Sequence, residues 1–166
     1  RGRGRNNNSA PKAWSADQFV VEVQEGKARF HDFDLPLPLL RGIQTAGFQY
    51  CTPIQGASLP HTLRGHDMVG KAQTGTGKTL AYLLPCLCMW KFSKDPHPQI
   101  LIIVPTRELV AQVVNEVEKL TTYMNVVVGG VYGGTNMNTQ ASMVLHGLDI
   151  LVGTPGRILD LTASGS

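Results

Sequence analysis

The eight residues AQTGTGKT, at positions 72–79, restrict the possible folds of this chain more than any other segment. The apolar stretch 68–72 that leads into them suits a β-strand, and the stretch 78–92 suits a helix, kinked at Pro85. Two glycines and three threonines in eight residues suit the interior of neither element. A glycine-rich loop between a strand and a helix is instead typical of a phosphate-binding loop.

Each residue type in this loop has a role in phosphate binding. Gly75 and Gly77 let backbone N–H groups turn inward without a Cβ in the way, and the following helix points its positive end at the same place. Lys78 would reach the β- and γ-phosphates of a nucleotide, and the Thr79 hydroxyl would bind Mg²⁺. The strict pattern has Gly where Ala72 stands, so the looser form applies. The predicted nucleotide contacts here are Ala72, Gln73, Thr74, Gly75, Thr76, Gly77, Lys78 and Thr79, with Lys78 and Thr79 as catalytic residues.

Short apolar segments alternate with helical patterns along the rest of the chain. The predicted strands are 68–72, 100–104, 126–132 and 149–152. The predicted helices are 35–47, 53–63, 78–92, 106–120, 137–145 and one that begins near 155. The apolar face of the helix over 106–120 is predicted to consist of Leu109, Val113, Val117 and Leu120. This alternation predicts an α/β fold with a parallel, doubly wound sheet.

The positive charge of the chain lies at its N-terminus. Residues 1–12 contain four basic and no acidic residues, whereas the net charge of the whole chain is +3. Arginine, glycine and asparagine dominate this segment, which predicts disorder. Such a tail could be simply solvated, or it could hold RNA weakly through charge and guanidinium stacking. We divide the chain into a basic tail and connector, 1–25, and a folded domain, 26–166.

Other features exclude several classes of protein. Three cysteines form no even disulfide framework and have no zinc-ligand spacing with a histidine, which indicates reduced thiols in a cytosolic protein. No apolar run approaches the ~20 residues of a membrane span, and the N-terminal charges precede no apolar core of a secretory signal. We therefore expect a cytoplasmic protein without membrane association.

A second candidate nucleotide contact lies upstream, in GFQYCTPIQ at positions 47–55. A glutamine amide carries a donor and an acceptor side by side and can pair with adenine N6 and N7. Gln55 could therefore read the base, although a surface glutamine taken alone is weak evidence for such a role.

Three further segments are candidates for binding backbone phosphates. Thr154-Pro155-Gly156-Arg157 suits a helix start that exposes N–H groups beside a cation, which could equally be an ordinary capped helix. Pro105-Thr106-Arg107 follows the strand over 100–104, at the edge where parallel sheets bind ligands. Gly133-Gly134 could allow close approach of a sugar-phosphate backbone or form an ordinary turn.

Taken together, these segments resemble the first part of a DEAD-box RNA helicase. GFQYCTPIQ, with the upstream aromatic Phe30, resembles the Q motif of that family. AQTGTGKT resembles its phosphate loop, PTRELVAQ at 105–112 its motif Ia, Gly133-Gly134 its GG element and TPGR at 154–157 its motif Ib. The segments FHDFDLP, at positions 30–36, and YCTPIQ, at positions 50–55, look most like the bacterial RhlB-type branch of the family.

The resemblance implies a role for each matching residue. Gln55 would read adenine and Phe30 would stack near the ring, so that ATP with Mg²⁺ is the expected cofactor. RNA would be held through its backbone, without sequence specificity. The implied RNA contacts are Pro105, Thr106, Arg107, Gly133, Gly134, Thr154, Pro155, Gly156 and Arg157. The RhlB-type resemblance also suggests RNA decay with an endoribonuclease partner.

The resemblance also implies parts that the sequence does not contain. No Asp-Glu-Ala-Asp tetrapeptide occurs, so the expected fold is a partial RecA-like sheet, truncated before the strand that carries this motif. We expect the parent protein to unwind RNA with ATP and the 166 residues to bind without hydrolysing. Two alternatives remain open here: a nucleotide- or RNA-binding module without catalysis, and another phosphate-loop NTPase such as a DNA helicase.

Overall fold

A computed structural model describes residues 12–73, 75 and 77–165. Its helices are α1 (Leu37–Thr45), α2 (Pro53–Thr62), α3 (Lys78–Met89), α4 (Arg107–Leu120), α5 (Met137–Leu145) and α6 (Pro155–Ala163), with two short 3₁₀ helices, Ala16–Gln18 and Phe30–Asp32. Its strands are β1 (Ile100–Ile103), β2 (Val128–Val131) and β3 (Ile150–Gly153). In the described part of the chain, no helix is both long and apolar enough to span a membrane.

The three strands form one parallel sheet in the order β1-β3-β2. Ile103 and Val131 both align with Gly153, so the three strands end at the same level. The residues that follow the strands therefore emerge together at one edge of the sheet. The mixed α/β architecture and the parallel pairing confirm the predicted fold class.

The hydrophobic core lies between the sheet and the helices. β3 is its centre: Ile150 and Val152 are fully buried. On α4 the buried face contains Val110 rather than the predicted Leu109, which is 37% exposed. The predicted buried face was therefore correct for the later turns of this helix but wrong in its first turn. Leu109 and Val110 are both apolar, and the sequence pattern does not show which of them faces the core.

The core extends into the segment that we assigned to the connector. Phe19 and Val21 are buried in the same cluster as the residues of α1. The Gln44 side chain donates a hydrogen bond to the carbonyl of Gln18, and the Tyr50 hydroxyl donates one to the carbonyl of Glu22. The packed unit thus begins before residue 26, whereas the basic segment 1–11 lies outside the described residues.

The predicted strand over 68–72 is wrong. This stretch has no regular secondary structure and pairs with no strand among the described residues, and Val69 is 97% exposed. Within the same described part, β1 pairs only with β3, so its other edge is open. A groove of about 950 Å³ separates the 67–70 stretch, α2 and α3 on one side from α4 on the other. A β-strand needs a neighbour for its backbone hydrogen bonds, and none of the described residues supplies one in this groove.

Candidate functional site

The phosphate-loop segment joins the irregular stretch 68–73 to α3. Gly75 and Gly77 both adopt left-handed backbone conformations, with φ of 80° and 84°. Side chains other than glycine are strained there, which explains both glycines. Gly77 precedes the first residue of α3, so the free N–H groups of that helix open toward the loop. Thr74 and Thr76, both predicted nucleotide contacts, lie outside the described residues.

Gln55 contacts this loop directly. Its side-chain oxygen accepts a hydrogen bond from the Thr52 N–H, and its side-chain nitrogen donates one to the Gly77 carbonyl, 3.0 Å away. A Cβ on Gly77 would lie 2.5 Å from the Gln55 amide nitrogen and 2.7 Å from the Thr52 hydroxyl. The structure therefore brings Gln55 to the predicted phosphate loop, although Gln55 is only 2% exposed.

The two predicted catalytic residues stand at the start of α3. The Lys78 ammonium donates a hydrogen bond to the Ala72 carbonyl, 2.6 Å away, and so folds back across the loop. The Thr79 hydroxyl hydrogen bonds to Tyr82, whose pKa is raised mainly by burial. Left-handed glycines, free helix N–H groups and an ammonium fit a polyphosphate.

The residues of the loop and of the start of α3 fit Mg²⁺ only as part of a complex of the ion with a nucleotide phosphate. No group of three or more His, Cys, Asp and Glu side chains within the described ranges could hold a metal ion. Thr79 offers one hydroxyl, and Mg²⁺ bound to nucleotides takes much of its coordination from phosphate oxygens and water.

Phe30 occupies a different position from the one predicted. The ring is fully buried in the hydrophobic core, where it begins the 3₁₀ helix Phe30–Asp32. In this conformation it offers no exposed face for a base to stack on. Its neighbour Arg29 pairs with Asp32, whose pKa is lowered mainly by the hydrogen bond from the Arg29 N–H.

The loop opens into the groove beside β1. Gly75, Gly77, Lys78 and Thr79 line one end of this groove. Across it, Glu116 of α4 has a buried carboxylate oxygen with no hydrogen-bond partner among the described residues. The groove is therefore large enough for a nucleotide-sized group and carries a polar atom that the described residues leave unsatisfied.

A second cluster of predicted site residues lies where the three strands end. Pro105 and Thr106 follow β1, and the Thr106 hydroxyl caps α4 by accepting a hydrogen bond from the Leu109 N–H, 3.3 Å away. Arg107 is exposed and pairs with Glu108 at 3.4 Å. A Cβ on Gly134, whose φ is 81°, would lie 3.7 Å from the Arg107 guanidinium. The structure thus brings motif Ia next to the Gly133-Gly134 turn.

The third part of this cluster is the start of α6, directly after β3. The Thr154 N–H donates a hydrogen bond to the Val131 carbonyl, but the Thr154 side chain makes no capping bond. Pro155 occupies the first helical turn. Gly156 is exposed, and no atom lies within 4 Å of the point that a Cβ on this residue would occupy. The N-terminus of α6 is therefore open, with a hydroxyl beside it.

Arg157, predicted to contact RNA phosphate, points inward rather than into solvent. It is only 9% exposed, and its guanidinium donates hydrogen bonds to the Gln140 side chain and to the Thr135 carbonyl. Sequence reasoning missed Gln140, because no motif includes it. The one feature that could have identified Gln140 was its polar side chain on the inward face of α5.

Comparison with known proteins shows the family of this chain. The family model described as DEAD/DEAH box helicase matches residues 52–166. The chain is 45% identical over 153 residues to a Pseudomonas putida protein named ATP-dependent RNA helicase RhlB, covering 88% of this chain and 38% of the relative. A Pseudomonas syringae protein of the same name is 45% identical, covering 87% and 38%, and one from Histophilus somni is 41% identical, covering 82% and 34%.

These relatives extend well beyond the matched region, since the chain spans about 38% of the length of the Pseudomonas proteins. The family match, in contrast, covers more than half of this chain and includes α2, the phosphate loop and all three strands. The chain therefore belongs to the DEAD/DEAH box helicase family.

Proposed function

We propose that this chain forms the part of an ATP-dependent RNA helicase that grips the ATP phosphates and one stretch of RNA backbone. The observation that carries the proposal is the hydrogen bond from Gln55 to Gly77, which joins the amide proposed to read the base to the loop proposed to bind the phosphates. The relatives that carry the name ATP-dependent RNA helicase support it.

On the nucleotide side, the loop and the start of α3 bind the phosphates. Bound Mg²⁺ would neutralise phosphate charge and orient the β- and γ-phosphates. The Lys78 ammonium exchanges its bond to the Ala72 carbonyl for a phosphate oxygen, and Thr79 offers its hydroxyl to the metal. Gly75 and Gly77 keep the loop free of side chains where the phosphates approach. Gln55 reads adenine once the residues that cover it move apart.

On the RNA side, the common edge of the three strands binds the backbone. Arg107 supplies an exposed cation, Gly133 and Gly134 permit close approach, and the open N-terminus of α6 supplies N–H groups next to the Thr154 hydroxyl. Pro105, Thr106, Pro155 and Gly156 shape the two helix starts. Contacts of this kind recognise phosphate and sugar, so binding is salt-sensitive and independent of sequence.

The residues of this chain account for binding rather than for hydrolysis. Rapid phosphoryl transfer needs a group that positions the attacking water and additional charge on the transition state. We therefore propose that the chain itself binds Mg·ATP without turning it over, and that the parent protein hydrolyses ATP.

The test measures both properties on the 166-residue chain. Titration with a fluorescent ATP analogue should show saturable binding that Lys78→Ala weakens, and phosphate release should not exceed that of buffer. RNA-stimulated phosphate release that Lys78→Ala abolishes would show that the chain is catalytic. The absence of any ATP or RNA binding by a folded chain would contradict the proposed function itself.

A comparison of substrates tests the preference for RNA over DNA. ATP hydrolysis by a full-length relative carrying this segment should be stimulated by single-stranded RNA and much less by single-stranded DNA. The proposal further places the protein in the cytoplasm, with an endoribonuclease of RNA decay as its partner. Co-purification of that partner with the full-length protein, but not with this chain alone, would support contact through another region.

A further inference from the structure

Gln140 is the centre of a buried polar cluster at the strand-end edge of the sheet. Its side-chain oxygen accepts hydrogen bonds from the Arg157 guanidinium at 2.8 Å and the Tyr132 N–H at 3.3 Å. Its side-chain nitrogen donates to the Tyr132 carbonyl and to the Thr135 hydroxyl. The amide thus uses both acceptor sites and both donors, the full capacity of a glutamine side chain. We call Gln140, Arg157, Tyr132 and Thr135 the amide clasp.

The clasp joins three elements that lie apart in the sequence. Gln140 lies on α5, Arg157 lies in the first turn of α6, and Tyr132 and Thr135 flank the Gly133-Gly134 turn. Arg157 also donates a hydrogen bond to the Thr135 carbonyl, 3.2 Å away. The turn after β2 is therefore tied at both of its ends to the helix that follows β3.

Arg157 brings an incompletely neutralised positive charge into this cluster. Its Nε atom is buried without a hydrogen-bond partner, and the Asp160 carboxylate lies 3.8 Å from it and is 61% exposed. The acceptors that Arg157 does have, an amide and a carbonyl oxygen, are neutral. A buried cation whose hydrogen-bond acceptors are neutral, and whose carboxylate neighbour Asp160 is largely exposed to solvent, favours a further anion nearby, in addition to the N–H groups at the start of α6.

From these contacts we infer that Gln140 is a positioning residue for RNA binding, which rests on the proposed function of this edge. Gln140 holds Arg157 and the Gly133-Gly134 turn in fixed relation, so that the turn and the N-terminus of α6 act as one preorganised backbone site. Arg157 itself acts from beneath that site, through its charge, rather than as a surface contact.

The test is Gln140→Glu in the 166-residue chain. The new carboxylate has nearly the same shape and pairs with Arg157, so it cancels the buried charge while removing both amide donors to the turn. Anisotropy of a labelled polyuridine oligonucleotide should show about tenfold weaker binding at low salt. The slope of log affinity against log salt should fall by about 0.7, which corresponds to one phosphate contact on a single strand.

Asn138→Asp is the matched control, since Asn138 is exposed on the same helix and the change in charge is the same. A second pair of variants addresses the possibility that Gln140→Glu fails to fold. Thr135 is exposed, so Thr135→Val should fold; it removes the hydroxyl that Gln140 contacts and should weaken RNA binding, and Thr135→Ser should retain more of the affinity.

The outcomes separate this inference from the proposed function. If the unsubstituted chain binds no RNA, the proposed function fails. If it binds RNA but Gln140→Glu matches Asn138→Asp in affinity and salt slope, or Thr135→Val matches Thr135→Ser, the clasp has no role in binding. A fall in melting temperature with unchanged affinity and slope would make Gln140 merely structural and would also overturn the inference.

Discussion

The side-chain amide of Gln55 donates a hydrogen bond to the backbone carbonyl of Gly77, which links α2 to the last residue before α3. This contact requires glycine at position 77, because a Cβ on any other residue there would lie 2.5 Å from the same amide nitrogen. A residue proposed to read the base thus also fixes the shape of the loop proposed to bind the phosphates. Substitution of Gln55 should therefore affect both parts of the nucleotide.

Gln55→Ala should weaken ATP binding more than GTP binding. Both nucleotides lose the support that Gln55 gives to the loop, but only ATP loses the pairing of the amide with adenine, worth about 1–3 kcal/mol. Titrations of fluorescent ATP and GTP analogues measure the two losses. Equal losses would mean that Gln55 supports the loop without reading the base.

Lys78→Ala should weaken binding of the ATP analogue by at least about tenfold, because a charge-assisted contact to phosphate contributes more than a neutral hydrogen bond. Thermal stability should change little, because Lys78 is exposed. Lys71→Ala is the control, since Lys71 is an exposed lysine outside the loop and removes the same charge. Similar losses for both variants would indicate a general effect of charge rather than a specific contact.

Gly42→Ala should destabilise the fold by about 2 kcal/mol or more, because a Cβ at this position would lie 2.1 Å from the Leu120 carbonyl oxygen, where α1 crosses the end of α4. Gly56→Ala provides the comparison: Gly56 is also helical, but nothing lies within 4 Å of its Cβ position. That variant should be more stable by about 0.5–1 kcal/mol from helix propensity. Urea unfolding measures both, and a stable Gly42→Ala would show that the two helices can separate.

Asp32→Asn should lower the melting temperature at neutral pH and have a smaller effect in acid. The Arg29 N–H and guanidinium hold the pKa of the Asp32 carboxyl below its usual range in the folded state. Such a group stabilises the fold at pH values above its ordinary pKa of about 3.9, and this stabilisation is lost as the pH falls through the lowered value. Melting curves of wild type and variant should therefore converge below about pH 4.

Asp34→Asn serves as the control for that experiment. Asp34 lies two residues after Asp32, its side chain is exposed, and the substitution removes the same charge. A difference between wild type and Asp32→Asn that stays constant from neutral to acidic pH would indicate lost packing rather than a lost carboxylate.

The sequence predicted elements well where local pattern and tertiary packing agree. α5 has the predicted bounds, and the strands over 100–103 and 150–153 differ from the prediction by one residue. Buried strands of a parallel sheet form continuous apolar runs, so their pattern is visible without knowledge of their neighbours. The prediction over 68–72 failed because apolar composition alone does not supply a pairing partner.

The site was less predictable than the fold. The glycine-rich loop and the Thr-Pro-Gly-Arg segment each have a local physical signature, and the structure places both at the ends of elements that the sequence indicated. The burial of Phe30 and the inward orientation of Arg157 depend on residues distant in the sequence. The role proposed for Gln140 could not be predicted, since it depends on a turn and a helix that only the folded sheet brings together.

The order β1-β3-β2 means that the elements proposed to bind the RNA backbone are arranged in space differently from their order in the chain. The start of α6, last in sequence, stands between the start of α4 and the Gly133-Gly134 turn. Neighbouring strands are spaced by about 4.8 Å. Main-chain hydrogen bonds between the strands therefore set the distances between the three elements, whereas lengthening any one loop would move a single element.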